Sequence, residues 1–403
     1  MVGLSVALMF LPTPTDLPVA GQRVLAVAVM AIGLWCTDAI PAAVTGILLV
    51  IALVLTGGVP GFPEALVGFA EPVAYFLVGV LTIGLAVLQS GLAERVALFF
   101  LRQSRGRSRS LYLQMLLSFP LLTLLLPSAT TRTGILVFVY EQALDLGRVP
   151  RGSSFAKAIM LALNSVNRLA STMLLTGGIT PVLAASLIGG ISWGRWFVLM
   201  VVPYSVLLAV GALLIYLLHR RGFDLLLPPV RTGERKPLSG KEIRTLVITI
   251  GASLLWLTDA WHHWNPALPA IMAWACLLTP GIGALTWKEF EKGFGWANFF
   301  VIASSLSLAR ALGSSGASGW IAEATGVSPL VCGLAVMIAG DAVLYYPAQS
   351  ASSLVVYERG HLTAAEIFFF GLWMTLVAYG VVMFVALPYW AAVGEPLRLI
   401  PGG

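Results

Sequence analysis

Long apolar stretches, separated by short polar punctuation, run the whole length of the chain. A helix needs about 20 predominantly apolar residues to cross a bilayer, and the pattern predicts spans over 21–37, 42–57, 73–90, 195–218, 245–262, 267–283, 294–313 and 364–391. A shorter first span is predicted over 3–11, and residues 93–109 and 317–326 read as amphipathic arms on opposite membrane surfaces. Three stretches resist a straight helix. Residues 154–190 are too long for one and break at Thr176-Gly177-Gly178-Ile179-Thr180-Pro181, and residues 328–357 break at Pro347-Ala348-Gln349-Ser350. Two short apolar arms within 111–146 are separated by Pro127-Ser128-Ala129-Thr130-Thr131-Arg132-Thr133. Basic loops flank this pair at both ends, so it enters and leaves on one face and is predicted to be a re-entrant hairpin. Backbone at such a tip is tolerated at membrane depth only where protein buries it or it lines an aqueous cavity.

The pattern occurs twice. Leu34-Trp35-Cys36-Thr37-Asp38-Ala39 returns as Leu255-Trp256-Leu257-Thr258-Asp259-Ala260, and each copy is followed by an apolar run ending near Ser-Gly (Ser90-Gly91; Ser315-Gly316). An odd number of predicted crossings separates the copies, so the halves face opposite ways. Two inverted apolar halves are the design of a secondary transporter, with the site near the midplane where helices break. The expected fold class is therefore an all-α polytopic membrane protein, an inverted-repeat secondary transporter with a re-entrant hairpin and broken helices. Its predicted divisions are 1–218 (first repeat, hairpin 111–146, broken helix 154–190), a cytoplasmic linker over 219–244, and 245–403 (second repeat, broken helix 328–357). The second repeat is shorter by about the length of one hairpin with its loops.

Composition narrows the class. Hydrophobic residues make up 58% of the 403 and charged ones 10%, against about 25% charged in soluble domains. The net charge of +6 does not point to nucleic acid, because most of the 24 Lys and Arg fall in loops at 102–109, 148–157, 220–244 and 288–292. Basic loops on one side follow the positive-inside rule and predict a multi-pass inner-membrane protein in the lipid bilayer. The first residues lack the basic region of a cleaved signal peptide. Cys36, Cys276 and Cys332 form no metal pattern, and His262-His263 has no third ligand. No nucleotide-phosphate loop or catalytic triad is evident, so no enzyme activity and no cofactor are expected.

Ser128, Thr130, Thr131 and Thr133 place hydroxyls at a helix break, where free backbone N–H groups also suit an anion. The bland reading is that they merely satisfy a turn. A charge at the bilayer centre costs about 2.5–3.5 kcal/mol, which singles out Arg132, whose planar fork holds a carboxylate or sulfate; snorkelling or pairing with an acid is the alternative. Asn164, Asn167 and Arg168 precede the second break and either line a cavity or bond between helices. Arg310 reads as snorkelling. Asp38 and Asp259 sit at span ends, which favours helix capping or pairing with Arg over proton relay. Asp341 lies within an apolar run, with a buried partner or a proton-coupling role both open.

Leu34-Trp35-x-Thr37-Asp38-Ala39-Ile40-Pro41, Pro72-Val73 through to Leu92, the hairpin, and Ser192-Trp193-Gly194-Arg195-Trp196-Phe197 together resemble the divalent anion/sodium symporter family of carboxylate and sulfate carriers. The resemblance implies an inverted repeat with two re-entrant hairpins and two broken helices, an elevator motion of a transport domain, homodimers, and a Ser-Asn-Thr motif at each tip that binds carboxylate oxygens and helps form a sodium site. Here Ser128-Ala129-Thr130 stands for Ser-Asn-Thr, and the second hairpin is the segment the shorter half lacks. Thr176-Gly177 keeps the family's Thr-Gly, with Ile179-Thr180-Pro181 in place of Pro-Pro-Asn. Carried over, the substrate positions are Ser128, Ala129, Thr130, Arg132, Thr133, Thr176, Gly177, Ser350 and Ser353, with sodium at Ser128, Thr130, Thr176 and Gly177. The expected function is secondary transport of a small divalent anion, a dicarboxylate such as succinate or malate, or sulfate, coupled to sodium. The alternatives are a sodium-independent exchanger with Arg132 replacing the cation, and a non-transporting membrane scaffold or sensor.

Overall fold

The computed structural model describes residues 2–37, 39–104, 106–126, 128–188, 191–225 and 237–398. Asp38, Pro127 and the linker's 226–236 lie outside these, so nothing follows about them. Among the described residues the regular elements are helices, and the sole extended pairing is an isolated bridge between Val327 and Arg398.

The first half runs α1 (Val2–Phe10), α2 (Val19–Thr37), α3 (Ala42–Leu55), α4 (Pro72–Ser90) and α5 (Leu92–Gln103), then the arms α6 (Ser108–Leu125) and α7 (Ala129–Leu146). A broken helix follows: α8 (Ser154–Leu161), a π turn over Ala162–Val166, α9 (Asn167–Thr172), a 3-10 turn over Leu175–Gly177, and α10 (Ile179–Ile188). The long helix α11 (Trp193–Leu218) closes the half. The second half repeats the order with α12 (Gly240–Leu257), α13 (Ala267–Leu278), α14 (Trp296–Ser314) and α15 (Ala317–Thr325). Its broken helix is α16 (Pro329–Ala342), a 3-10 turn over Pro347–Gln349 and α17 (Ala351–Tyr357). It ends on α18 (Ala364–Val381), a π turn over Val382–Ala386 and α19 (Leu387–Ala392).

Local chemistry accounts for where these helices begin. Ser128, Ser153, Ser192, Ser239, Thr363 and, for a short helix at Trp287–Gly293 between α13 and α14, Thr286 are N-caps whose side chains accept a backbone N–H from the first turn. Three of them form capping boxes with Glu242, Glu289 and Glu366, satisfying two otherwise orphaned donors each. By length and composition 72–90, 193–218 and 364–392 can each cross a membrane, and the bent pair 296–314 and 317–323 makes a fourth if counted as one span. The predicted spans over 21–37, 42–57 and 267–283 are realised as shorter apolar helices, ending at Thr37, Leu55 and Leu278.

The doubling is visible in the turns and in the packing. Both α4–α5 and α14–α15 turn on a glycine in the left-handed region, Gly91 (φ 80°) and Gly316 (φ 77°), a conformation that costs other residues a Cβ clash. The halves pack on each other reciprocally, α3 on α14 and its counterpart α13 on α4. Small residues let these backbones meet: a Cβ on Gly79 would lie 2.2 Å from the Ala270 carbonyl oxygen, and one on Gly46 would lie 2.3 Å from Ser304 Oγ. Between α15 and α16 there are only residues 326–328, so the second half has no counterpart of α6 and α7. The first-half hairpin rests on α5, which packs against both arms, while α7 also packs against α17. Asp259 Oδ2 accepts the backbone N–H of Trp193 at 2.8 Å, so the acid of the second Leu-Trp-x-Thr-Asp-Ala copy caps α11 of the first half. Arg310 pairs with Glu71 at 2.6 Å.

Candidate functional site

Both broken helices are built alike. Each leaves its α-helix through an extended residue (Leu174, φ −108°, ψ 133°; Val343, φ −112°, ψ 123°), makes one 3-10 turn, and re-enters a helix through a second extended residue (Gly178, φ −174°; Ser350, φ −147°). Breaking a helix inside a membrane frees backbone groups that need partners, and side chains supply them. Trp196 Nε1 donates to the Thr172 carbonyl at 3.0 Å. In the second break Gln349 Nε2 donates to the Val343 carbonyl and Gln349 Oε1 accepts from the Tyr345 N–H. Trp193 Nε1 donates to Thr176 Oγ1 at 3.3 Å. The Ser-Trp-x-x-Trp start of α11 is thus a brace for the first break.

Arg132 secures the hairpin tip. It is fully buried, and its guanidinium donates to Asn167 Oδ1 (2.7 Å), the Asn167 carbonyl (2.9 Å), Ser171 Oγ (2.6 Å) and the Leu126 carbonyl (3.1 Å). Asn167 Nδ2 in turn donates to Thr133 Oγ1 at 2.8 Å. One asparagine therefore reads two successive hairpin residues, and the tip is bolted to α9. All four acceptors are neutral, so the positive charge of Arg132 stays uncompensated behind the tip.

Where the tip, the first break and the second break meet there is a cavity of about 150 Å³. The hairpin contributes Ser128, Ala129 and Thr130, the first broken helix Arg168, Ser171, Thr172, Gly178, Thr180 and Pro181, and the second Asp341, Ser350 and Ser352. The first residues of α7 and α10 line it, so two helix N-termini, each a partial positive charge with free N–H groups, border one space. Arg168 supplies a full charge. Its Nη2 lies 3.7 Å from Asp341 Oδ1 with both side chains largely buried (17% and 9% exposed), and its Nη1 is buried without a hydrogen-bond partner. Asp341 Oδ2 accepts from Thr172 Oγ1 and from the Tyr204 hydroxyl (3.2 Å). Ser350 and Ser352 bond to each other at 2.8 Å.

The positions named from the sequence therefore divide. Ser128, Ala129, Thr130 and Ser350 line the cavity. Arg132 and Thr133 are buried behind it. Thr176 faces Trp193, and Gly177 packs so closely that a Cβ would lie 2.1 Å from the Ser171 carbonyl oxygen. Ser353 is buried with its hydroxyl unpartnered, while its neighbour Ser352 reaches the cavity. Arg168 and Asp341, for which the sequence leaves a cavity or coupling role open, also line the cavity, together with Ser171, Thr172 and Ser352, which it does not put forward. A signal for two of these was available: with Arg168, positions 171 and 172 follow the i, i+3, i+4 spacing that puts side chains on one helix face.

Among the described residues no group of three or more His, Cys, Asp or Glu is placed to hold a metal ion. The four positions expected for sodium make a poor cage. Ser128 Oγ accepts from both the Thr131 N–H and the Thr131 hydroxyl, Thr176 Oγ1 is engaged by Trp193, and Gly177 is wedged against Ser171.

Residues 1–328 match the family described as the sodium:sulfate symporter transmembrane region. A protein of Cupriavidus necator named only as a membrane protein is 25% identical over 78% of this chain and 66% of its own length. A putative malate transporter of Bacillus subtilis is 23% identical, covering 80% of this chain and 70% of its own. The L-tartrate/succinate antiporter of Escherichia coli is 24% identical, covering 72% and 63%. The chain thus spans about two thirds of the length of the curated relatives it matches. These relatives are membrane proteins and carriers, in keeping with the absence of catalytic motifs from the sequence.

Proposed function

The chain belongs to the sodium:sulfate symporter family of membrane transporters, and we propose that it carries a small dicarboxylate through the cavity between the hairpin tip and the two broken helices. The observation that carries this reading is the convergence of Arg168 with the N-termini of α7 and α10 on one cavity. A guanidinium and oriented backbone N–H groups recognise carboxylate oxygens. The volume of about 150 Å³ lies below the roughly 300–1,000 Å³ of pockets for drug-sized ligands, which suits an anion of few atoms. The malate and tartrate/succinate carriers among the relatives favour a four-carbon diacid over sulfate.

Arg168 takes the place of a coupling cation in this proposal, so sodium is not required. The Arg132 bonds to α9 make the tip and the first broken helix one body, as elevator-type alternating access demands. The test is uptake of labelled succinate and of labelled sulfate into proteoliposomes, with and without a sodium gradient. Succinate uptake that exceeds sulfate uptake and survives removal of sodium is the expected result. Uptake that collapses without sodium overturns the coupling, and no uptake of either anion overturns the transport reading.

A further inference from the structure

We propose that Asp341 is a proton acceptor linked to anion binding: an incoming carboxylate takes Arg168 from Asp341, and Asp341 then picks up one proton. The inference rests on the reading of the cavity as a dicarboxylate site.

Three features of the geometry lead there. First, the Arg168–Asp341 pair is loose. At 3.7 Å it is longer than the roughly 2.7–2.9 Å of a charge-assisted N–H···O bond, and Arg168 Nη1 has no partner at all. A substrate carboxylate offers this fork a better match than Asp341 does. Second, among the described residues no second cation pairs with Asp341; the Arg132 guanidinium is held behind Ser171 by neutral acceptors. The residues that face Asp341 are Arg168 on α9 and Thr172 and Tyr204, whose hydroxyls bond Oδ2. Of the other elements packed on α16, α10 and the 382–386 π turn carry no titratable side chain. On α18, Glu366 is engaged by Lys157 at 2.5 Å and Tyr379 is exposed. Third, both members of the pair line the cavity, so the exchange needs no relay.

In the empty site the Asp341 carboxylate and the Arg168 guanidinium sum to zero. One carboxylate of the diacid pairs with Arg168, which leaves Asp341 a buried anion without a counter-charge, a costly state. A proton from bulk water adds to Oδ1, forming one O–H bond and no other. Oδ2 keeps its hydrogen bonds from Thr172 and Tyr204 as the carbonyl oxygen of the neutral acid. When substrate leaves, the proton leaves and the ion pair re-forms. With the Arg168–Asp341 pair re-formed, neither of the two cavity charges is left unpaired and the carrier is able to reorient unloaded, so an inward proton gradient drives net uptake.

Calorimetric titration of the purified full chain with succinate, near neutral pH, in two buffers of different ionisation enthalpy, counts the protons taken up per succinate bound. The wild type is expected to take up close to one proton, and its affinity to fall by up to about tenfold per pH unit as pH rises. Asp341→Asn is expected to bind succinate with no proton uptake and no such slope. Succinate binding to the wild type without proton uptake overturns the inference while leaving the anion site standing, as does proton uptake that persists in Asp341→Asn. Absence of succinate binding in the wild type overturns the anion site and this inference with it.

Discussion

Replacing Arg168 with Gln is expected to abolish measurable succinate uptake while leaving the protein folded. Truncating one partner of a desolvated charge pair costs about 2–5 kcal/mol, and every 1.4 kcal/mol is about tenfold in affinity. The loss in succinate affinity is therefore about 30-fold at the least. The fold is kept because Asp341, once it loses its 3.7 Å contact with Arg168, is expected to take up a proton, as it does on substrate binding, while its other oxygen keeps Thr172 and Tyr204. Lys at 168 retains the charge but not the planar two-pronged geometry, and is expected to fall between the wild type and Gln. Binding affinity and thermal unfolding, measured on the same preparations, separate a lost ligand contact from a lost fold.

Arg132→Ala is expected to do the reverse, with its principal effect on stability. The substitution strands the Asn167 side-chain and backbone oxygens, the Leu126 carbonyl and Ser171 Oγ in the interior. Each buried group left unsatisfied costs about 1–3 kcal/mol, which places the total among the exceptional single-residue losses, above about 4 kcal/mol. The hairpin tip detaches from α9, and the melting temperature in detergent falls well below that of Arg168→Gln. If Arg132→Ala unfolds like the wild type and loses only succinate binding, then Arg132, not Arg168, contacts the anion.

These two arginines mark the limit of what the sequence discloses. Both interrupt apolar runs, and hydropathy gives them equal weight. What separates them is the rotation of α9. Asn167 and Arg168 are neighbours in the chain and so point about 100° apart on a helix; the first meets Arg132 and the second meets the cavity. That rotation is fixed by tertiary packing, through Trp196 on the Thr172 carbonyl and Asn167 between Arg132 and Thr133. The same one-residue ambiguity put Ser353 forward in place of Ser352.

Other features were open to reading because short-range chemistry determines them. The hairpin tip and the two breaks are set by Pro, Gly and hydroxyl residues acting on their own backbone, and the structure has them at Ser128, Leu175–Gly177 and Pro347–Gln349. The doubled Leu-Trp-x-Thr-Asp-Ala phrase announced the repeat, but not that Asp259 of the second copy serves α11 of the first half. A capping partner so distant in the chain leaves no local trace.

The central claim is that a dicarboxylate sits between Arg168 and the N-terminal turns of α7 and α10. A structure determined in saturating succinate tests it most directly. The account predicts succinate density in the cavity, with one carboxylate within hydrogen-bonding distance of the Arg168 guanidinium and displaced Asp341, and the other facing Ser128–Thr130 or Thr180. Succinate bound elsewhere, or bound in this cavity with the Arg168–Asp341 pair intact, contradicts it.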